Sequence, residues 1–292
     1  DSPQRMTLTI ALAQMTSGVD PASNLAAIAD AAQAAATAGA SMLFLPEMAV
    51  LLDRDRARSS AHVVREGDSD WPAALAAIAR HHGLWLHAGS APFLADDGGQ
   101  RRVNRTLLFA PDGSLAARYD KIHLFDVDLP TGESWRESAL YQGGGALVVA
   151  PCPAGPVGLT ICYDLRFPEL YAALVANGAR VLAIPAAFTA PTGAAHWHVL
   201  MRARAIETAC FVVAAAQGGQ HDDGRQTYGH SLVIDPWGRV VAEAHDGPDG
   251  PGAQLLLAEL DLAEVDRARA AIPLSASRTQ RRAAWLSEAA GR

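Results

Sequence analysis

A cysteine, a lysine and two glutamates are the side chains whose settings in this sequence suit covalent chemistry. Cys162 lies in the run Gly158-Leu159-Thr160-Ile161-Cys162-Tyr163-Asp164-Leu165-Arg166-Phe167-Pro168-Glu169-Leu170. An apolar stretch delivers the thiol to a polar turn, and a helix-forming segment follows. A thiol at the exposed end of a buried strand is placed to act as a nucleophile. Backbone N–H groups at a helix start beside it would lower its pKa and bind an anion. The alternative for a thiol without partners is a buried structural cysteine. Cys152, between Pro151 and Pro153, and Cys210, at the entry to an apolar strand, lack this setting and read as structural.

Glu47 follows the apolar run Met42-Leu43-Phe44-Leu45-Pro46, so its carboxylate stands at a strand end. Partial burial there would raise its pKa toward general-base use, whereas a solvated loop position would make it inert. Lys121, in Arg118-Tyr119-Asp120-Lys121-Ile122-His123-Leu124-Phe125, would favour a thiolate and stabilise an oxyanion if it met Cys162; otherwise it pairs with Asp120. His123 reads either as the base of a Cys–His pair or as a packed structural imidazole. Glu137, in Ser134-Trp135-Arg136-Glu137-Ser138, reads by residue type alone as a partner of Arg136 or of solvent.

Metal and phosphate chemistry find less support. His196 and His198 are two apart on a helical segment and cannot share a face, which disfavours a two-histidine site. His221-Asp222-Asp223 reads as a solvated loop. Gly143-Gly144-Gly145 is not followed by the Lys and Ser/Thr of a phosphate-cradling loop.

The elements that must position these residues fall into two similar halves. In the first, Thr7 to Ala13 alternates as a strand, Pro21 to Thr37 is an Ala-rich helix ended by Gly39, and Ser41 to Leu45 is an apolar strand. Trp71 to His82 is helical, Leu84 to Ser90 is a strand, and Val103 to Ala110 with Ser114 to Tyr119 forms a hairpin about Pro111-Asp112-Gly113. In the second half Val157 to Ile161 is a strand, Phe167 to Asn177 a helix, Arg180 to Ile184 a strand and Ala194 to Thr208 a helix. Phe211 to Ala216 is a strand, and Tyr228 to Ile234 with Arg239 to Ala244 forms a hairpin about Asp235-Pro236-Trp237-Gly238. The segment Ala38 to Pro46 echoes Asn177 to Pro185. Strand–helix alternation buries sheets beneath helices, and two such halves can pack sheet against sheet. No flexible linker separates them, so 1–292 is expected to form one domain, with a polar tail from about 261 whose Arg-rich segment, Arg278 to Arg282, suits a solvated or partner-packing arm.

Bulk properties narrow the function classes. With 292 residues, half of them hydrophobic, the composition is that of an ordinary globular protein. A net charge of −7 and the absence of a basic stripe argue against nucleic acid as a partner. Three widely spaced cysteines disfavour a disulfide framework and point to a reducing cytoplasm. Ser138 to Tyr163 carries no charge before Asp164 and is long enough to span a bilayer, but Pro151, Pro153 and Pro156 would break a helix there. No membrane partner is expected.

Together these segments resemble the nitrilase superfamily of carbon–nitrogen hydrolases, specifically its Nit branch. The likeness is carried by Leu43 to Glu47, Tyr119 to Leu124 and Leu159 to Leu170, and continues through Thr192 to Trp197, Arg202 to Thr208, Val212 to Gln217, Tyr228 to Ser231 and Asp235 to Gly238. The resemblance implies an α/β fold, a four-layer αββα sandwich with pseudo-two-fold halves. It implies Glu47 as general base, Lys121 as charge stabiliser, Cys162 as nucleophile and Glu137 as a supporting carboxylate. Tyr163, Arg166, Phe188 and Thr192 fall at positions that bind substrate in that branch, with the planar Arg166 guanidinium suited to a carboxylate. No metal or organic cofactor is implied. The expected substrate is a small carboxylate-bearing amide. Ala214-Ala215-Ala216-Gln217-Gly218-Gly219-Gln220-His221 is close to the members that hydrolyse deaminated glutathione, and the ω-amidase type fits the other motifs almost as well. The family's habit of pairing through outer helices implies a homodimer or larger homo-oligomer.

Overall fold

The computed structural model describes residues 7–130, 132–245 and 252–274. Two sheets dominate it. The first has the strand order Gln254–Asp261, Thr7–Gln14, Met42–Phe44, Trp85–His87, Arg102–Phe109 and Ala91–Leu94, with Leu115–Asp120 also paired to Arg102–Phe109. The second runs Val240–Glu243, Leu232–Ile234, Phe211–Ala214, Val181–Ala183, Val157–Leu159 and Val149–Ala150. In each, three consecutive strands are parallel and an antiparallel strand follows on one side. This repeat is the pseudo-two-fold relation that the echo between Pro46 and Pro185 foreshadows.

Among the described residues the α-helices are α1 (Pro21–Thr37), α2 (Arg56–Ser59), α3 (Trp71–His82), α4 (Pro168–Ala176), α5 (Ala190–Thr208) and α6 (Ala263–Ala271). Local chemistry sets their ends. Asp20 caps α1 by accepting from the Ala22 and Ser23 N–H groups, and Gly83, at φ +62°, ends α3 in the left-handed region. Helices α1 and α3 cover the first sheet, and α4 and α5 cover the second. Strand alternation separates the layers. Ile10, Leu12, Met42 and Phe44 share a buried cluster with the second sheet, while Ala11, Ala13, Leu43 and Leu45 join Ile28, Ala32, Leu75 and Ala79 beneath α1 and α3. The fold is the expected αββα sandwich.

Several elements differ from the sequence-based expectation. The strand expected over Tyr228 to Ile234 is interrupted, because His230 takes φ +56° and separates Gln226–Tyr228 from Leu232–Ile234. Two short hairpins, Asp126–Asp128 with Ser134–Arg136 and Gly218–Gln220 with Gln226–Tyr228, carry too little apolar periodicity to announce themselves. Gln254–Asp261 pairs along the whole of Thr7–Gln14. The tail expected from about 261 begins as α6, which buries Val265 and Ala268 and ties itself to the second half through Arg180–Asp266 at 2.7 Å. Arg278 to Arg282 lies outside the described residues. Ser138 to Tyr163 forms short strands and turns, and no described helix is long and apolar enough to cross a membrane.

Candidate active site

Two strand ends and one turn bring the chemistry together. Glu47 leaves the Met42–Phe44 strand through Pro46, Lys121 follows the Leu115–Asp120 strand, and Cys162 opens a 3₁₀ helix, Cys162–Arg166, just past Val157–Leu159. All three are buried, at 5%, 2% and 8% exposure, so their charges interact with little screening. Lys121 Nζ donates to Glu47 Oε1 at 3.1 Å and to Glu137 at 3.1 and 2.9 Å. Glu137 also accepts from the Phe125 N–H at 2.6 Å, which fixes its carboxylate against the lysine. Thus Glu137 pairs with Lys121 inside the molecule, not with its neighbour Arg136, which binds Asp128 at 2.8 Å.

The Glu47 carboxylate is held from three sides. Asn104 Nδ2 and Lys121 Nζ reach Oε1 at 2.9 and 3.1 Å, and the Ala187 N–H reaches Oε2 at 2.9 Å. The same carboxylate faces the Cys162 thiol closely enough for its charge to raise the thiol pKa. Asn104 carries no signal in the sequence: it is one of four polar residues, with Arg102, Arg105 and Thr106, on a buried strand, 57 positions from its partner.

The charges set the resting protonation states. Burial would push the Lys121 ammonium down, but the Glu137 and Glu47 carboxylates outweigh it and hold it well above the ordinary lysine value. Burial, then the Glu47 charge, pushes the Cys162 thiol well above the ordinary cysteine value, and Lys121 offsets only part of this. The expectation of a depressed thiol pKa is therefore reversed. The arrangement suits a thiol that surrenders its proton to Glu47 as it attacks, in place of a stored thiolate.

Backbone geometry aims the sulfur. Cys162 has φ +48°, a left-handed conformation that costs a non-glycine residue about 1 kcal/mol and occurs where surrounding structure imposes it. Its N–H is anchored on the Pro185 carbonyl at 2.9 Å. The next N–H, of Tyr163, lies in the first turn of the 3₁₀ helix, where no intrahelical carbonyl is on offer. The fully buried Asp164 locks this turn. It accepts from the Ile161 N–H (2.9 Å), the Tyr119 hydroxyl (2.6 Å) and the His123 N–H (3.0 Å), and it meets His123 Nδ1 at 2.7 Å. His123 also stacks on Phe167 at 3.6 Å. Of its two readings the structural one is correct.

These groups open into a cavity of about 610 Å³, which is lined by all eight residues singled out above. Arg166 lies 5.8 Å from the Tyr163 ring centroid and 5.5 Å from that of Phe188, and touches His196 Nδ1 at 3.3 Å. Phe188 packs edge-on against Trp197, and the Thr192 hydroxyl meets that of Thr189 at 2.8 Å. The histidines considered for a metal separate. His196 faces Arg166, His221 bridges Ser17 and Thr227, and His198 meets Glu243 at 2.7 Å beside His230.

A thiol, a carboxylate whose charge acts on it and a lysine held between two carboxylates form a constellation for attack at a carbon–nitrogen bond. Residues 9–270 match the family model "Carbon-nitrogen hydrolase". The chain belongs to the carbon–nitrogen hydrolase family. This hydrolase is 41% identical over 238 residues to the deaminated glutathione amidase of Yersinia enterocolitica, covering 81% of this chain and 82% of that one. Its fold superposes on the Caenorhabditis elegans NitFhit protein with a TM-score of 0.82 and 37% identity, over 92% of this chain but only 64% of that longer one. It is also similar, at TM-score 0.76 and 28% identity over 90% of this chain and 94% of the other, to a variant amidase from Nesterenkonia sp. AN1 whose active site cysteine carries the acetamide moiety of fluoroacetamide. The hydrolase is thus an amide-cleaving enzyme of the nitrilase superfamily.

Proposed function

We propose that this hydrolase cleaves the amide of a small carboxylate-bearing substrate through a thioester on Cys162, and that deaminated glutathione is that substrate. The observation that carries the mechanism is Lys121 Nζ clamped between Glu47 and Glu137, with the Glu47 charge acting on the Cys162 thiol. Glu47 takes the thiol proton as the sulfur bonds to the amide carbon. Lys121 and the Tyr163 N–H stabilise the oxyanion. The C–N bond breaks as Glu47 returns the proton to the departing amine. A water then gives a proton to Glu47, attacks the thioester and releases the acid with the thiol restored. Glu137 keeps Lys121 charged and in place.

Arg166, with no carboxylate partner among the described residues, supports recognition of the acyl-side carboxylate, between the Tyr163 and Phe188 rings. The name of the Yersinia relative supports the choice of substrate. A cytoplasmic setting, supported by three free cysteines, belongs to the same reading. So does a homodimer through outer helices, supported by the exposed Val199 and Ile206 on α5.

The deciding experiment measures hydrolysis of deaminated glutathione, α-ketoglutaramate, a simple nitrile and an N-carbamoyl amino acid by the wild type and Cys162→Ala. Deaminated glutathione is expected to give the highest kcat/KM, and Cys162→Ala to be folded and inactive. Preference for another substrate overturns the substrate assignment; substantial turnover by Cys162→Ala overturns the mechanism.

A further inference from the structure

The cavity wall contributed by the first half contains a cation for which the described residues supply no counter-charge. Arg102 is 3% exposed and lines the cavity with Ser59, Leu140 and Tyr141. Its guanidinium donates from Nη1 to the Ser59 hydroxyl at 2.9 Å and from Nη2 to the Ser60 hydroxyl at 3.0 Å. Both partners are neutral. Burial keeps the adjacent Tyr141 phenol raised and therefore neutral, against the pull of the Arg102 charge. Among the described residues no carboxylate lies within ion-pair distance of Arg102. Apart from Arg166, assigned above to the acyl-side carboxylate, the other arginines on the cavity are compensated or solvated: Arg136 binds Asp128, Arg225 binds Asp223 at 2.6 Å, and Arg54 is exposed. A buried charge with no partner costs several kcal/mol, so a cavity that keeps one is suited to a ligand bringing the opposite charge.

Its position says which part of the ligand that is. Arg102 and Asn104 are two residues apart on the Arg102–Phe109 strand and point to the same face. Asn104 holds Glu47, the group that protonates the leaving amine in the mechanism above. Two strand residues advance by about 6.7 Å. Two residues of an extended peptide leaving group span about 7 Å from its amine to its carboxylate. The Arg102 backbone is stapled on both sides, its N–H to the Leu140 carbonyl at 2.9 Å and its carbonyl to the Gln142 N–H at 2.8 Å, so the guanidinium is preorganised.

We propose that Arg102 binds the terminal carboxylate of the leaving group, so that the site selects amides carrying a carboxylate at both ends. Arg166 receives the acyl-side carboxylate and Arg102 the distal one. This rests on the substrate reading above and adds a specificity-determining residue to it.

The test is the ratio of kcat/KM for deaminated glutathione, which has both carboxylates, to that for α-ketoglutaramate, which lacks the distal one. In Arg102→Met this ratio is expected to fall about 30-fold or more, chiefly through KM for deaminated glutathione, with partial recovery in Arg102→Lys. A ratio within about threefold of wild type in a folded variant would mean a purely structural arginine and overturns the proposal. Should Arg102→Met not fold, deaminated glutathione with its glycine carboxylate converted to the carboxamide replaces it. Wild-type KM is expected to rise by a similar factor, and an unaltered KM overturns the proposal. If wild type hydrolyses neither substrate, the substrate reading fails by itself. Binding of glutaryl-alanylglycine, whose distal carboxylate lies two residues from the amide nitrogen, to Cys162→Ala, weakened about tenfold or more by adding Arg102→Met, then decides the role of Arg102, with equal binding overturning it.

Discussion

Glu47 Oε2 accepts the Ala187 N–H at 2.9 Å, and the two residues follow Pro46 and Pro185, the equivalent ends of equivalent strands in the two halves. The pseudo-two-fold relation therefore meets at the carboxylate beside the thiol. One half supplies the proposed base, Glu47, and the other supplies both the N–H that orients it and the proposed nucleophile, Cys162. Neither half holds a complete site.

Glu47→Gln tests the base. The amide is isosteric and its oxygen can still accept from the Ala187 N–H, so folding should persist. The thiol loses its proton acceptor, and kcat is expected to fall about 10³-fold. Steady-state kinetics beside a thermal melt checks this; retained turnover would assign the proton to another group.

Glu137→Gln tests the clamp on Lys121. The lysine is held well above its usual value because Glu137 and Glu47 together outweigh burial. Removing the nearer charge lets the ammonium lose its proton at lower pH. The basic limb of the kcat/KM profile should shift to lower pH, with activity below that limb reduced by about tenfold to a hundredfold. A drop in rate with an unshifted limb would leave Glu137 with a merely structural part.

Gly89→Ala tests the support of the Glu47 turn. Gly89 has φ +62°, and a Cβ there would run into the Pro46 carbonyl. A side chain must push back the backbone that carries Glu47. The expected loss is about 3 kcal/mol of stability together with a lowered kcat, read by denaturant titration and kinetics.

His87 gives a pH signature in stability. Burial lowers its pKa from 6.5 to about 4, and Nδ1 accepts the Gly89 N–H. Above 6.5 both folded and unfolded states hold it neutral. As pH falls from 6.5 toward 4 only the unfolded chain takes the proton, so stability present at neutral pH is lost, by about 3 kcal/mol in all. His87→Gln should flatten that part of the acid limb in unfolding titrations between about pH 7.5 and 4.5; an unaltered slope would assign the acid loss to other groups.

Much of this was legible in the chain itself. The runs ending at Glu47 and Cys162 carry their own strand and turn signals, because burial of a strand and the stop after it are local consequences of apolar runs and proline. The echo around Pro46 and Pro185 reveals the repeat, and with it the sandwich. Residue type and family likeness together name Glu47, Lys121, Cys162 and Glu137. What remained hidden depends on distance in sequence. Asn104 meets Glu47 57 positions away, and Asp164 receives the Tyr119 hydroxyl from 45 positions away. The protonated thiol, the structural part of His123 and the uncompensated charge of Arg102 are likewise properties of an environment. Local pattern determines which elements form, since propensity and periodicity act over a few residues. Which charges lose water, and what they then face, is decided only when two sheets close on one another.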